Sequence, residues 1–146
     1  MAELLQYLAT LSAGLFAGAA LYINLVEHPA RMGLDTRSAA LHWAPSYQRA
    51  TWMQAPLALA SFAAGAGAWW LYAGPLWLIA ALLIGAVVPF TLIVIAPTNR
   101  RLLAPERDLA SAETRAVLER WGRLHAVRSV ISIVALLLMI WALIWD

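Results

Sequence analysis

Four long apolar runs constrain the possible folds of this chain more than any other feature. They cover residues 4–26, 52–72, 76–96 and 126–145. A helix of about 20 residues crosses the ~30 Å hydrocarbon core of a bilayer, and each run is long enough to do so. Only 12% of the residues are charged, about half the share in a soluble domain. The sequence therefore predicts a single all-α domain, an integral membrane four-helix bundle with up-and-down topology.

The charged residues predict how this bundle is oriented. All ten basic residues are arginines, and they lie after the first run or between the third run and the start of the fourth. By the positive-inside rule, both long loops are cytoplasmic and both termini lie outside, as expected in an inner or plasma membrane. Because the arginines mark membrane orientation, the predicted partner is the lipid bilayer and no nucleic acid is expected.

Both cytoplasmic loops are predicted to contain a short helix. In the first, Asp35 or Thr36 is a suitable N-cap for a helix that Pro45 interrupts, and Ser46 could cap the next one. In the second, a helical stretch from about Ser111 continues without a helix breaker into the fourth run.

A polar stripe closes the first apolar run. Asn24, Glu27, His28 and Arg31 are spaced i, i+3, i+4 and i+7, so on an α-helix they share one face. Pro29 is expected to end or kink this helix. Ionisable side chains are costly in hydrocarbon and are by default candidates for function.

A second stripe opens the fourth run. Trp121, His125 and Arg128 also share one helical face. The first and last helices of an up-and-down bundle are neighbours, so the two stripes are predicted to face each other. With Asn99 and Gln54 from the other two helices, they would form one polar pocket at the cytoplasmic end.

Several interpretations of this pocket remain open. It could be an internal polar cluster in which Glu27 pairs with an arginine. It could perform acid/base catalysis, with His28 or His125 taking a proton and Arg31 or Arg128 stabilising the resulting oxyanion. The aromatic walls around a flat substrate would then be Trp43, Tyr47, Trp52 and Trp121.

Metal and haem sites are two further alternatives. His28, His125 and Glu27 have the composition of a two-histidine, one-carboxylate metal site, and His42 could add a ligand. His28 and His125 could also be axial haem ligands. The chain contains no cysteine, which excludes disulfides, thiolate nucleophiles and cysteine-ligated metals.

Three patterns together carry a family resemblance: N-x-x-E-H-P-x-R from Asn24, P-T-N from Pro97 and W-x-x-x-H-x-x-R from Trp121. With Trp43 and Tyr47 between the first two, the chain resembles the DUF1772 family, also called the anthrone oxygenase family. The resemblance implies a small four-span membrane protein. For fungal members it also implies oxidation of an anthrone to an anthraquinone by O2, without a known metal or flavin.

We therefore expect an oxygenase without a cofactor that acts on a flat aromatic or quinone-like lipophile. Its partners would be this hydrophobic aromatic molecule and O2. The alternative is a non-catalytic membrane protein that binds a lipid or quinone, or a purely structural bundle. The expected catalytic residues are His28, His125, Arg31 and Arg128. The expected substrate-binding residues are Asn24, Asn99, Trp121, Trp43, Tyr47 and Glu27.

Overall fold

The computed structural model describes residues 1–71 and 73–145, which form helices, turns and short connections without a strand. The predicted all-α class is thus confirmed for this part of the chain. Four long helices account for most of it. They are α1 (Ala2–Met32), α2 (Thr36–Trp70), α3 (Pro75–Leu103) and α4 (Ala112–Trp145).

Three of these helices, α1, α3 and α4, are long and apolar enough to cross a membrane. Helix α2 does not reach the same hydropathy over its described residues, because Gln54, Ser61 and several glycines and tryptophans dilute its apolar side chains. A fourth span over residues 52–72 stays a prediction. Its last residue, Tyr72, lies outside the described residues.

Each long helix packs mainly against two others: α1 and α3 both contact α2 and α4. The predicted contact between the first and last helices is therefore confirmed. One end of the assembly has a core of alanines around Phe16, Trp77 and Met139. At the other end a second core surrounds Trp43 and Trp121, so these two aromatic residues of the predicted pocket lie in the protein interior.

Two π-helical turns interrupt the regular geometry of α1 and α3. They cover Ile23–Glu27 and Thr91–Ile95, and each ends two residues before a proline, Pro29 or Pro97. A proline has no backbone N–H and clashes with the carbonyl four residues earlier, and a widened turn relieves both problems. Helix α1 therefore does not end at Pro29 but continues to Met32.

The first loop is much shorter than predicted. Asp35 is the N-cap of α2, as expected, and its carboxylate accepts a hydrogen bond from the backbone N–H of Ser38 at 3.0 Å. This bond and one from the Ser38 hydroxyl lower the pKa of Asp35. The predicted break at Pro45 is wrong, because α2 runs unbroken from Thr36 to Trp70 with the Pro45 ring on its exposed side.

The second connection fits the sequence-based expectation more closely. Residues 104–111 are irregular, and α4 then begins at Ala112 and continues to Trp145. No separate short helix precedes α4 within these described residues. The helical stretch predicted from about Ser111 and the fourth apolar run therefore form one helix. Trp121, His125 and Arg128 all lie on this helix.

Close packing of α2 on α3 gives a first prediction. A Cβ atom added at Gly65 would lie 3.0 Å from the Cβ of Ala81, whereas one added at Gly18 would meet nothing within 4 Å. Gly65→Val should lower the free energy of unfolding by about 1–3 kcal/mol, since overpacking forces the helices apart. Thermal unfolding in detergent measures this, with Gly18→Val as control. Equal unfolding midpoints for the two variants would contradict the close approach of α2 and α3.

Candidate active site

Asn24 connects α1 to α4 through three hydrogen bonds. Its Nδ2 donates to the carbonyl oxygen of Gly122 at 3.1 Å. Its Oδ1 lies 2.7 Å from Nδ1 of His125 and accepts from the Ser129 hydroxyl at 2.6 Å. A carbonyl oxygen can only accept, so the amide nitrogen must face Gly122. The orientation of the Asn24 amide is therefore determined by its partners.

This orientation also determines the tautomer of His125. Oδ1 of Asn24 can only accept, so Nδ1 of His125 carries the proton and Nε2 of the neutral ring keeps a lone pair. The ring is buried and packs against Trp121, with ring centroids 4.9 Å apart. Among the described residues no hydrogen bond occupies Nε2. Neutral His125 can therefore accept a proton at that atom.

Arg31 is the centre of a second polar cluster, which we call the Arg31 hub: Glu27, His28, Arg31, His42 and Ser46. Nε of Arg31 donates to Nδ1 of His42 at 3.1 Å, and one terminal nitrogen lies 3.3 Å from Nδ1 of His28. The other donates to Ser46 at 3.1 Å and pairs with Glu27. All three guanidinium nitrogens have protein partners, and the four contacts among the described residues leave one N–H of the terminal nitrogen beside His28 unused. The expected role of Arg31 as an anion partner stays a prediction.

The Arg31 hub also determines the state of its histidines. A guanidinium group only donates, so Nδ1 of both His28 and His42 accepts, and their neutral rings carry the proton on Nε2. The lone pair of His28 is therefore used by Arg31. Of the two expected base candidates, only His125 has a lone pair without a partner in the described structure.

The stripe on α1 does not face one surface. Asn24 contacts α4, whereas Glu27 contacts Ser46 on α2. The guanidinium of Arg31 bonds to residues of both α1 and α2. The π turn over Ile23–Glu27 explains the difference, because its wider turn rotates the following residues relative to an ideal α-helix.

Gly122 was not singled out from the sequence, yet it determines where His28 lies. A Cβ atom at residue 122 would lie 2.5 Å from Nε2 of His28, so the histidine ring packs directly on the backbone of α4. The same ring is 5.2 Å from Trp121, centroid to centroid. The only sequence signal for this contact was the glycine within W-x-x-x-H-x-x-R. A lone glycine in a helix does not show which residue packs against it.

The aromatic residues form a continuous cluster. Trp43 stacks on Tyr47 with ring centroids 4.9 Å apart, and its ring meets the edge of Trp121 at 5.8 Å. Within the described part of the chain, neither indole nitrogen of Trp43 and Trp121 has a hydrogen-bond partner. Trp52 was expected to be part of the aromatic wall of the site. It is instead 84% exposed, because it lies on the opposite side of α2.

Arg128 lies apart from the Arg31 hub, in the wall of an open cavity of about 140 Å³. Apolar side chains such as Phe16 and Val87 form most of this wall, together with Tyr47 and Gln54. Arg128 donates to Oε1 of Gln54 at 2.7 Å, and its guanidinium carbon is 5.1 Å from the centre of the Phe16 ring. Within residues 1–71 and 73–145, no carboxylate pairs with Arg128.

The structure thus divides the expected site into neighbouring parts. His125 is one helical turn before Arg128 but does not line the cavity. Asn99 is buried on the face of α3 that packs into the Trp43–Trp121 cluster, and its Oδ1 has no partner among the described residues.

Among the described residues there is no group of three or more His, Cys, Asp or Glu that could hold a metal ion. The metal alternative with His28, His125 and Glu27 therefore lacks an assembled ligand set.

The Arg31 hub predicts a large difference between two acidic residues. Arg31 is 1% exposed and Glu27 21% exposed at the side chain, so Glu27→Ala leaves a buried cation without its counter-charge. We expect the free energy of unfolding to fall by about 3 kcal/mol. Glu113→Ala is the control, since Glu113 is 66% exposed and pairs with Arg101 at the surface, where such a pair contributes about 0–1 kcal/mol. Denaturant unfolding of both variants measures the difference, and equal effects would show that the Arg31 hub does not depend on the ion pair.

Comparison with known proteins shows the family of this chain. The family model for anthrone oxygenase matches residues 43–138, more than half of the chain, including His125 and Arg128 but not the stripe on α1. Anthrone oxygenase tpcL of Aspergillus fumigatus (strain Af293) is 47% identical over 55 residues, which cover 36% of this chain and 34% of that protein. The chain thus matches about a third of the length of this curated relative. No solved structure matches the chain. The match over residues 43–138 shows that this chain belongs to the anthrone oxygenase family.

Proposed function

We propose that this protein is a membrane-embedded oxygenase that works without a cofactor on a flat aromatic or quinone-like lipophile. Family membership supports the reaction class and the absence of a cofactor. One structural observation carries the proposal. Arg128 lies without a carboxylate partner, among the described residues, in a largely apolar cavity, one turn from a histidine whose proton is fixed on Nδ1.

In this proposal His125 is the general base and Arg128 binds the anion that forms. Asn24 holds the His125 ring in the tautomer that leaves Nε2 free. The Arg31 hub keeps α1 and α2 together and positions His28 behind Trp121. Trp43 and Tyr47 form the aromatic side of the site, and Tyr47 also lines the cavity.

The reaction follows from these roles with anthrone as the example. His125 takes a proton from the methylene carbon between the two aromatic rings, and the negative charge delocalises onto the ketone oxygen. Arg128 stabilises that oxyanion. The electron-rich anion gives one electron to O2, and the resulting radical and superoxide join in a C–O bond. The peroxide takes the proton back from His125 and loses water, which leaves a second C=O at the former methylene. One O2 is consumed and one water is released.

The cavity is positioned to receive a molecule dissolved in the bilayer. Its wall includes Thr51 and Ala55 of α2 and Leu92 of α3, which are partly or fully exposed, so its mouth lies between these helices. Because α3 is apolar enough to span a membrane, this mouth would face lipid. A flat hydrophobic substrate and O2 are both more soluble there than in water.

The proposed role of His125 predicts a pH-dependent loss of activity. His125→Phe retains a ring for packing on Trp121 but cannot take a proton. O2 uptake with anthrone at neutral pH should fall by about 10²–10⁴-fold, the usual contribution of a general base. The deficit should shrink as the pH approaches the pKa of anthrone, because hydroxide then forms the same anion in solution.

His42→Asn provides the matched control, since the asparagine oxygen can still accept from Arg31. An oxygen electrode measures both variants across the pH range. Full activity of His125→Phe, or a deficit that is independent of pH, would contradict the assigned role. If the wild-type protein binds anthrone but consumes no O2, the alternative of a non-catalytic lipophile-binding protein is favoured.

We further propose that the four helices form a four-span bundle in an inner or plasma membrane, with both termini outside and residues 104–111 in the cytoplasm. The arginine distribution supports this orientation. It also requires α2 to span the membrane, although its hydropathy is lower than that of the other helices.

Cysteine labelling tests this topology, because the natural chain contains no cysteine. A membrane-impermeant thiol reagent added to intact cells should label Glu3→Cys and Trp145→Cys but not Ala110→Cys. Cell lysis should expose the last variant as well. Labelling of only one of the two terminal variants in intact cells would indicate an odd number of spans and contradict the four-span bundle.

A further inference from the structure

We infer that Gln54 and Arg128 together form a two-donor site for one oxygen atom of the ligand, in the wall of the cavity between α2 and α3. This inference rests on the proposed function and extends it. It assigns to Gln54 the recognition of a carbonyl or phenolate oxygen, and it restricts the ligand to lipophiles that carry such an acceptor.

The hydrogen bond to Arg128 determines the orientation of Gln54. A guanidinium group has only donors, so the side-chain atom of Gln54 that faces it at 2.7 Å must be the oxygen. The two N–H donors on Nε2 of Gln54 are therefore not used by Arg128. Gln54 is 2% exposed, and its Nε2 has no hydrogen-bond partner among the described residues.

Arg128 contributes the second free donor. One of its two terminal nitrogens donates to Gln54, and its Nε is buried and has no partner among the described residues. Both residues line the same cavity, so two unpaired N–H groups belong to linked side chains of its wall. An unpaired buried donor costs about 1–3 kcal/mol, and a ligand oxygen that accepts from both groups removes that cost.

The remainder of the wall defines the rest of the ligand. Phe16, Ala58 and Val87 present apolar surface, and Tyr47 presents an aromatic ring. A flat hydrocarbon body fits this surface, and its oxygen would meet Gln54 and Arg128. No carboxylate lines this cavity, so a cationic ligand would find no counter-charge among the described residues. The site therefore selects a neutral or anionic oxygen acceptor on an apolar body.

Two ligands that do not consume O2 test the inference separately from catalysis. Anthraquinone carries carbonyl oxygens, and anthracene has a similar flat shape without an acceptor. Binding is measured as the excess of each compound in protein-loaded nanodiscs over empty nanodiscs of the same lipid, which corrects for partition into the bilayer. The wild-type protein should bind anthraquinone at least about tenfold more tightly than anthracene, since anthracene leaves both donors unpaired.

Gln54→Met is the decisive variant, because methionine has a similar volume but no N–H donor. Its affinity for anthraquinone should fall about five- to tenfold, while its affinity for anthracene stays within twofold of wild type. Gln48→Met on the exposed surface of the same helix is the control and should match wild type for both ligands. The comparison of the two ligands on the wild-type protein requires no variant, so it stands even if Gln54→Met fails to fold.

Equal affinity of the wild-type protein for the two ligands would overturn the inference, as would an unchanged preference in Gln54→Met. The O2 electrode separates this outcome from failure of the proposed function. Selective binding of anthraquinone without O2 uptake from anthrone would support the oxygen-binding site and contradict the oxygenase. Normal O2 uptake in Gln54→Met with unchanged selectivity would support the oxygenase and contradict the oxygen-binding site.

Discussion

The hydrogen bonds of Asn24 are the interaction on which the candidate site most depends. One amide on α1 binds a carbonyl, an imidazole and a hydroxyl that all belong to α4. In an apolar chain such bonds are strongly favoured, because water is not available to replace them inside the protein. They align α1 with α4, and they fix the proton of His125 on one ring nitrogen. The same hydrogen bonds thus determine the packing of α1 on α4 and the tautomer of the proposed base.

A second constraint is the burial of two arginines in different surroundings. Arg31 is paired with Glu27 and uses its nitrogens to bind His42, Ser46 and His28. Among the described residues Arg128 hydrogen-bonds only to the neutral amide of Gln54, and it lines an open cavity and keeps a buried Nε without a partner. Because an uncompensated buried cation is unfavourable, its presence is better explained by an anionic or strongly polar ligand than by stability.

Much of this arrangement follows from the sequence. Apolar runs predicted helices, and the shared face of Trp121 and His125 correctly predicted that they meet the stripe on the first helix. Arg128 was expected there too but bonds to Gln54 on α2. The sequence did not predict the π turn before Pro29, which separates Glu27 from Asn24. Helical periodicity assumes a constant turn, so it assigned the whole stripe to one face.

The division of roles between similar residues also required coordinates. The sequence offered His28 and His125 as equal candidates, and only the partners of their Nδ1 atoms distinguish them. In the same way, only packing shows that Gly122 accommodates His28 and that Trp52 lies outside the aromatic cluster. Such facts depend on contacts between distant segments, which a single sequence does not record.

The central claim is that this site forms and holds the anion of a flat aromatic ketone with its own residues. The most direct measurement is the absorption spectrum of the protein mixed with anthrone in the absence of O2, after treatment with a metal chelator. Without O2 the reaction stops at the first step. We expect the visible absorption of bound anthrone anion at a pH well below the pKa of free anthrone, at about one anion per protein chain. Absence of the anion, or its appearance only after a metal is added back, would contradict the proposed site.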